Sequence, residues 1–235
     1  MNREKEPRRQ FVTFTFFRLL PEWRRLPHID RAEFASDFAN VVRKWSSPDQ
    51  MRVLCYSLQG LHSDCDFMLW RICFSLECMN HMTAELMRTR MSGYFEVTHS
   101  SLATTRRSQY AMTDDGSTMD LHGGLQAGGT KYLHVYPLIR SRQWYVLPFD
   151  ERRRMIRQIS DVYVDFPESH VNVCYSFGLD DPDFVIAIET NHPLEMVERI
   201  MRLRETDSGP YIERDRPVFT CLHTKLDELM RSLGG

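Results

Sequence analysis

From Phe11 the chain alternates aromatic and branched residues with threonine, FVTFTFFR, and this two-residue period predicts a strand over Phe11–Arg18. The period then lengthens. Phe34, Phe38, Val41, Val42 and Trp45 fall on one stripe at helical spacing, which predicts an amphipathic helix over Asp30–Trp45. Strands are predicted at Arg52–Leu58 and Asp66–Ser75, then a helix over Leu76–Met91 stopping before Gly93, then a strand over Tyr94–Thr105. Between Ser108 and Thr130 periodicity fails, and five of the eleven glycines gather there (Gly116, Gly123, Gly124, Gly128, Gly129), as in a linker or mobile loop.

Beyond that break the order returns. A strand is predicted at Lys131–Ile139 and a helix at Asp150–Phe166, with Met155, Ile156, Ile159, Val162, Tyr163 and Phe166 facing one way. Strands at Val171–Phe177 and Asp183–Glu189, a helix at Pro193–Leu203, a strand at Pro217–Leu222 and a helix at Lys225–Leu233 complete the chain. Both halves read β-α-β-β-α-β, the split βαβ or ferredoxin-like unit. A repeated sentence supports a duplication: CYSLQGLHSDCDFML at 55–69 and CYSFGLDDPDFVI at 174–186. The expected class is α+β, two such halves forming a barrel with helices outside. The expected divisions are a charged leader at 1–9, a half at 10–107, the linker at 108–130, a half holding the cavity at 131–224, and a C-terminal helix at 225–235.

Charge changes little in this picture. Thirty basic and 32 acidic residues give a net charge of −2, which favours neither nucleic acid nor an anionic membrane as partner. The opening MNREKEPRRQ is charged and FVTFTFF is short, so neither a secretory leader nor a membrane span is read there. The six cysteines form no C-x-x-C pair, and four lie in apolar strand-like runs, as expected of reduced, buried thiols in a cytoplasmic protein. Dinucleotide, P-loop, esterase and zincin motifs are absent from the sequence. Cys78, His81 and Met82 could share a helix face as a soft metal site, though methionines at that spacing are more often core filler. His134 shares a strand face with Tyr136, and with His170 the pair could hold a non-haem metal; no metal site is assigned on this basis.

Several segments resemble the chlorite dismutase / coproheme decarboxylase family: QFVTFTFFRLLPEWRRLP, DFMLWRI, VYPLIRSRQWYVLP, YSFGLDDPDFVIAIE, RLRETDSGPY and RPVFTCLHT, from Gln10 to Thr224. The resemblance implies a homopentamer, haem or coproheme in the C-terminal half, and either chlorite splitting or coproheme decarboxylation. It also implies roles for single residues. Tyr136 of the YP motif stands where the family's catalytic tyrosine stands, Arg140 where a basic residue meets a propionate, and Trp144 completes the segment.

Departures accompany the match. The family's proximal ligand is a histidine in a run like MMxEHxxxGRxYP; here the run is MIRQISDVYVDFP, with Ile159 at the histidine and Tyr163-Val164 at the Gly-Arg pair. Isoleucine has no donor atom for iron. The acid that orients the family's histidine aligns with Asp207. Before YSFG, where a distal arginine serves chlorite chemistry, the candidates are His170 and Asn172, and neither supplies a guanidinium. Three readings follow. They are an oxidoreductase-type enzyme with a repurposed cavity around a small-molecule or porphyrin-like ligand, a haem or coproheme protein with an unorthodox ligand, and a non-catalytic homologue.

Overall fold

The computed structural model describes residues 8–47, 49–110, 125 and 127–235. The break expected at Ser108–Thr130 falls largely outside the described residues. The protein is α+β, and it packs as two compact units: the residues up to Thr104 together with Cys221–Gly235, and Thr105–Thr220.

The first unit holds β1 (Phe11–Leu19), α1 (Pro21–Arg25), α2 (His28–Trp45), β2 (Met51–Ser57), β3 (Phe67–Cys73), α3 (Leu76–Leu86) and β4 (Phe95–Thr104). Strand β1 lies between β3 and β4, and β2 flanks β3, all antiparallel, the order of a split βαβ unit. Alternation sends Phe17, Phe67 and Leu69 to one face, where they meet Phe38 and Val42 of α2 and Met79 and Met82 of α3 in a single core. Helix α3 is capped by Ser75, whose hydroxyl accepts from Cys78 N at 3.3 Å.

The second unit holds β5 (Tyr132–Arg140), α4 (Arg142–Val146), α5 (Phe149–Val164), β6 (His170–Tyr175), β7 (Phe184–Thr190), α6 (Glu195–Arg204) and β8 (Ile212–Arg214). Strand β7 pairs with both β5 and β6, and the short β8 pairs with the end of β5, all antiparallel. Strand β9 (Phe219–His223) starts in this unit; its end pairs with β2 through Tyr56 and His223, and α7 (Leu226–Ser232) follows in the first unit.

The duplication extends to detail that periodicity does not show. Both halves place a five-residue helix after their first strand. In each, a buried tryptophan (Trp23, Trp144) closes the turn from its own N–H, bonding Leu20 O at 3.1 Å and Ser141 O at 3.0 Å, and a proline (Pro27, Pro148) precedes the long helix. Both hairpins turn through a glycine of positive φ, Gly60 at 73° and Gly178 at 71°, a conformation that side-chain-bearing residues rarely adopt. Asp66 and Asp183 also keep one task. Each accepts the backbone N–H at the end of its unit's first strand, from Leu19 and from Arg140, at 2.7 Å in both.

The repeated Cys-Tyr-Ser does not keep its place. The hairpins end on the pairs Ser57–Phe67 and Tyr175–Phe184, so Ser57 corresponds to Tyr175 and Cys55 to Val173. A slip of one residue exchanges the two faces of a strand. Cys55 therefore lies in the helix-side core, while Cys174 pairs with Val185 on the other side of its sheet.

Candidate functional site

On β5 the side chains of His134, Tyr136, Leu138 and Arg140 alternate onto one face. Register carries that face to Ile188, Ile186 and Phe184 of β7, and onward to Val171, Val173 and Tyr175 of β6. Tyr136 is 5% exposed and forms a buried cluster with Ile186, Ile188 and Met196 of α6. Burial, with the neighbouring Tyr163 adding to it, raises its phenol well above the usual tyrosine range, so the hydroxyl stays protonated at neutral pH.

His134 is 3% exposed. Its Nδ1 lies 3.1 Å from the Thr220 hydroxyl, while Nε2 is buried without a hydrogen-bond partner. Burial and the charge of Arg199 push this imidazole down to about 4, so it is neutral at pH 7.

Arg140 is buried at the end of the same face. Its guanidinium lies 4.2 Å from the centroid of the Trp144 ring, and Nη1 donates to the Ser208 carbonyl at 3.3 Å. Asp183, which fixes the Arg140 backbone, also accepts from the Tyr145 hydroxyl at 2.7 Å. Trp144 has a counterpart in the first unit, the equally buried Trp23, so its burial also belongs to the architecture of the repeat.

The register separates the remaining candidates from Tyr136. His170 pairs with Glu189 and Asn172 with Ala187, on the face opposite Tyr136, and His170 is exposed besides. The expectation that either enters the pocket beside Tyr136 is corrected, as is the grouping of His134, Tyr136 and His170 around a metal. Adjacent strand residues alternate, so Val171 and Val173 take the facing that was assigned to their neighbours. On α3, Met82 is in the core, Cys78 is half-buried and His81 is exposed, so these three do not converge. Among the described residues no group of three or more His, Cys, Asp or Glu is arranged to hold a metal ion.

On α5, Ile159 is half-buried, beside the buried Ser160 and one turn after the buried Met155. Tyr163, one turn further on, has a phenol that burial raises above its ordinary value. Asp207 is exposed and already engaged: it accepts from Arg154 Nη1 at 2.6 Å and Gln158 Nε2 at 3.0 Å, which hold its carboxyl below the usual aspartate range.

One group escaped the sequence reading. Arg199 of α6 is 1% exposed, its guanidinium 4.6 Å from the Phe166 ring centroid and 5.7 Å from that of Tyr163. The available signal was its spacing, since Met196, Arg199, Ile200 and Leu203 occupy one helical stripe.

The family model described as chlorite dismutase matches residues 31–224. A coproheme decarboxylase of Mycolicibacterium smegmatis is 26% identical over 205 residues, covering 87% of each chain. Among solved structures, chlorite dismutase from Candidatus Nitrospira defluvii in complex with imidazole superposes with a TM-score of 0.87 at 20% identity, covering 96% of this chain and 95% of that one. A heme-binding protein from Thermus thermophilus gives 0.83 at 19% identity, with the same coverage. At these identities the structures establish the fold, and the family match spans most of the sequence. The chain belongs to the chlorite dismutase family.

Proposed function

We propose that this family member has a rewritten haem site and works as an oxidoreductase-type enzyme on a small molecule bound in the C-terminal unit, without splitting chlorite. The observation that carries the reading is the donor set on α5. Iron needs an imidazole, thiolate, thioether or phenolate. The position that aligns with the family's histidine is Ile159, and the donors one turn away are Met155, packed in the core, and Tyr163, whose phenol burial keeps protonated. Haem, as the resemblance implies it, does not fit these residues.

The acid aligned with the histidine's partner supports the same reading, because Asp207 is held by Arg154 and Gln158. Chlorite chemistry lacks its guanidinium on the strand before YSFG, where Val171 and Val173 face Tyr136. What remains is Tyr136 as the catalytic group, with Arg140 and Trp144 closing one end of its face and His134 beside it.

A second reading has an observation of its own. His134 Nε2 is a buried imidazole nitrogen without a partner, on the Tyr136 face, and would be the unorthodox ligand of a haem or coproheme protein. Titration with ferric haem and with coproheme decides between them. The first reading expects no shifted Soret band from the parent; a bound-haem Soret band that His134→Leu abolishes establishes the second. The assembly we propose is a cytoplasmic homopentamer, and a monomer by light scattering across micromolar concentrations overturns it. Among the described residues no helix is long and apolar enough to cross a membrane.

A further inference from the structure

Each half of the duplication buries an arginine beside its first strand, the second half in addition to Arg140 on that strand itself. In the first unit this is Arg71 of β3. It lies opposite Thr13, and three hydroxyls complete it: Nε to Thr13 at 3.1 Å, Nη2 to Thr15 at 3.0 Å and Nη1 to Thr83 of α3 at 2.7 Å. Phe17–Phe67 and Leu138–Phe184 are matching pairs, so Thr13 and Thr15 correspond to His134 and Tyr136, and Arg71 to Ile188. In the second unit the arginine comes instead from the helix, as Arg199.

The two guanidinium groups differ in what surrounds them. Arg71 faces acceptors. Arg199 donates from Nη2 to Ser169 Oγ and otherwise meets the rings of Phe166 and Tyr163, and its Nε is buried without a hydrogen-bond partner. Among the described residues no carboxylate forms an ion pair with it. Glu195, one turn earlier on α6, acts on it only through space, and Glu195 Oε2 is itself buried and unpartnered.

The polar groups electrostatically coupled to Arg199 are Tyr163, Glu195, Tyr136 and His134, the last with its own unpartnered Nε2. Two protonated phenols and a guanidinium make a neighbourhood rich in donors, and the Glu195 carboxylate nearby does not pair with the guanidinium. A buried cation in that setting is costly until an anion completes it. The walls are apolar, from Ile186, Ile188 and Met196.

We infer that the face of β5 covered by α6 binds a small carboxylate with an apolar body, the carboxylate held by Arg199 and the Tyr136 hydroxyl and the body by Ile188 and Met196. The guanidinium fork matches a carboxylate with two parallel donors, and apolar walls select against a fully hydrated oxyanion. The inference rests on the reading that haem does not occupy this face, and it names the class of molecule that does.

The test uses the full chain with benzoate as probe, benzyl alcohol as the neutral analogue and inorganic phosphate as the anion without an apolar body. Calorimetry is expected to show one saturable benzoate site, with benzyl alcohol and phosphate each weaker by about tenfold or more. Arg199→Gln is expected to weaken benzoate by about tenfold or more and Tyr136→Phe by roughly fivefold. Tyr136→Phe keeps the ring's packing, so the site stays testable where Arg199→Gln fails to fold. Glu195→Gln removes a competitor for the guanidinium and is expected to tighten benzoate. Equal affinity for benzyl alcohol, undiminished binding in both the Arg199 and Tyr136 variants, or no benzoate binding at millimolar concentration overturns the site. A haem titration of the same preparation separates the failures. A bound-haem Soret band defeats the functional reading beneath the inference; no Soret band and no benzoate binding defeats the inference alone.

Discussion

Arg71 donates from Nη1 to the Thr83 hydroxyl at 2.7 Å, and that hydroxyl donates its own proton to the Met79 carbonyl at 2.8 Å. The guanidinium is thereby tied to the first-unit helix that covers it, and burial pushes its pKa down to about 10. Thr83→Val keeps the shape and removes the acceptor, leaving a charged donor unpaired inside the protein. The expected cost is about 2 kcal/mol of unfolding free energy, read from the urea midpoint. A change within the error of the measurement would show that Arg71 finds water instead.

His134 sets a pH dependence whose sign is fixed by its burial. Its folded pKa, about 4, lies below the ordinary 6.5, so the unfolded chain binds the extra proton between those values. Its contribution is complete above pH 6.5 and is lost as pH falls towards 4, amounting to about 3 kcal/mol over that window. Stability measured from pH 7 to 4 in the parent and in His134→Gln is expected to differ in slope there. His99 and His223, also shifted down, remain in both proteins and cancel in the comparison. Parallel profiles would remove His134 as the source.

Ile159→His tests the position that aligns with the family's histidine ligand, together with Asp207. The substitution supplies an imidazole on α5, and the expected result is a five-coordinate ferric haem spectrum that the parent lacks. Affinity is expected to be weak, since Arg154 and Gln158 already occupy the Asp207 carboxylate. Adding Arg154→Ala loosens that carboxylate and is expected to tighten haem by about tenfold. Equal affinity in the single and double variants would show that Asp207 does not orient the new histidine.

Thiol reactivity follows from burial. Burial pushes the thiols of Cys55, Cys65 and Cys174 up to about 12, and with them the thiolate fraction at neutral pH vanishes. Cys78 is half-buried at the start of α3 and is expected to be alkylated first in the native protein, the others at the rate of unfolding. Mass mapping after brief alkylation reads the order directly, and early labelling of Cys174 contradicts it.

Long elements were legible because burial on one side imposes a period. The stripe of Phe34, Phe38 and Val42 and the alternation of Phe11–Leu19 needed nothing else. The five-residue helices at Trp23 and Trp144 are too short to show a period, although EWRRLP and QWYVLP repeat a tryptophan four residues before a proline. Facing was harder to read than existence. Anchoring on the repeated Cys-Tyr-Ser is off by one residue between halves, and one residue separates His170 and Asn172 from the face that Val171 and Val173 occupy. Arg199 was hidden by the charged residues of EMVERIMRLR, which read as a solvated helix. Its burial depends on rings of Phe166 and Tyr163 supplied by another helix and the turn after it.

The Trp23 indole donates to the Leu233 carbonyl at 2.6 Å across 210 residues of sequence, and β2 takes β9 as its neighbour. During synthesis the N-terminal unit therefore waits. Its four leading strands can form while the ribosome is still making the second unit, but the partner of Trp23 emerges only after Thr105–Thr220 has been made. A ribosome stalled between Thr105 and Thr220 thus holds a first unit whose β2 lacks its β9 partner, a state in which a chaperone that binds exposed strands would find this chain.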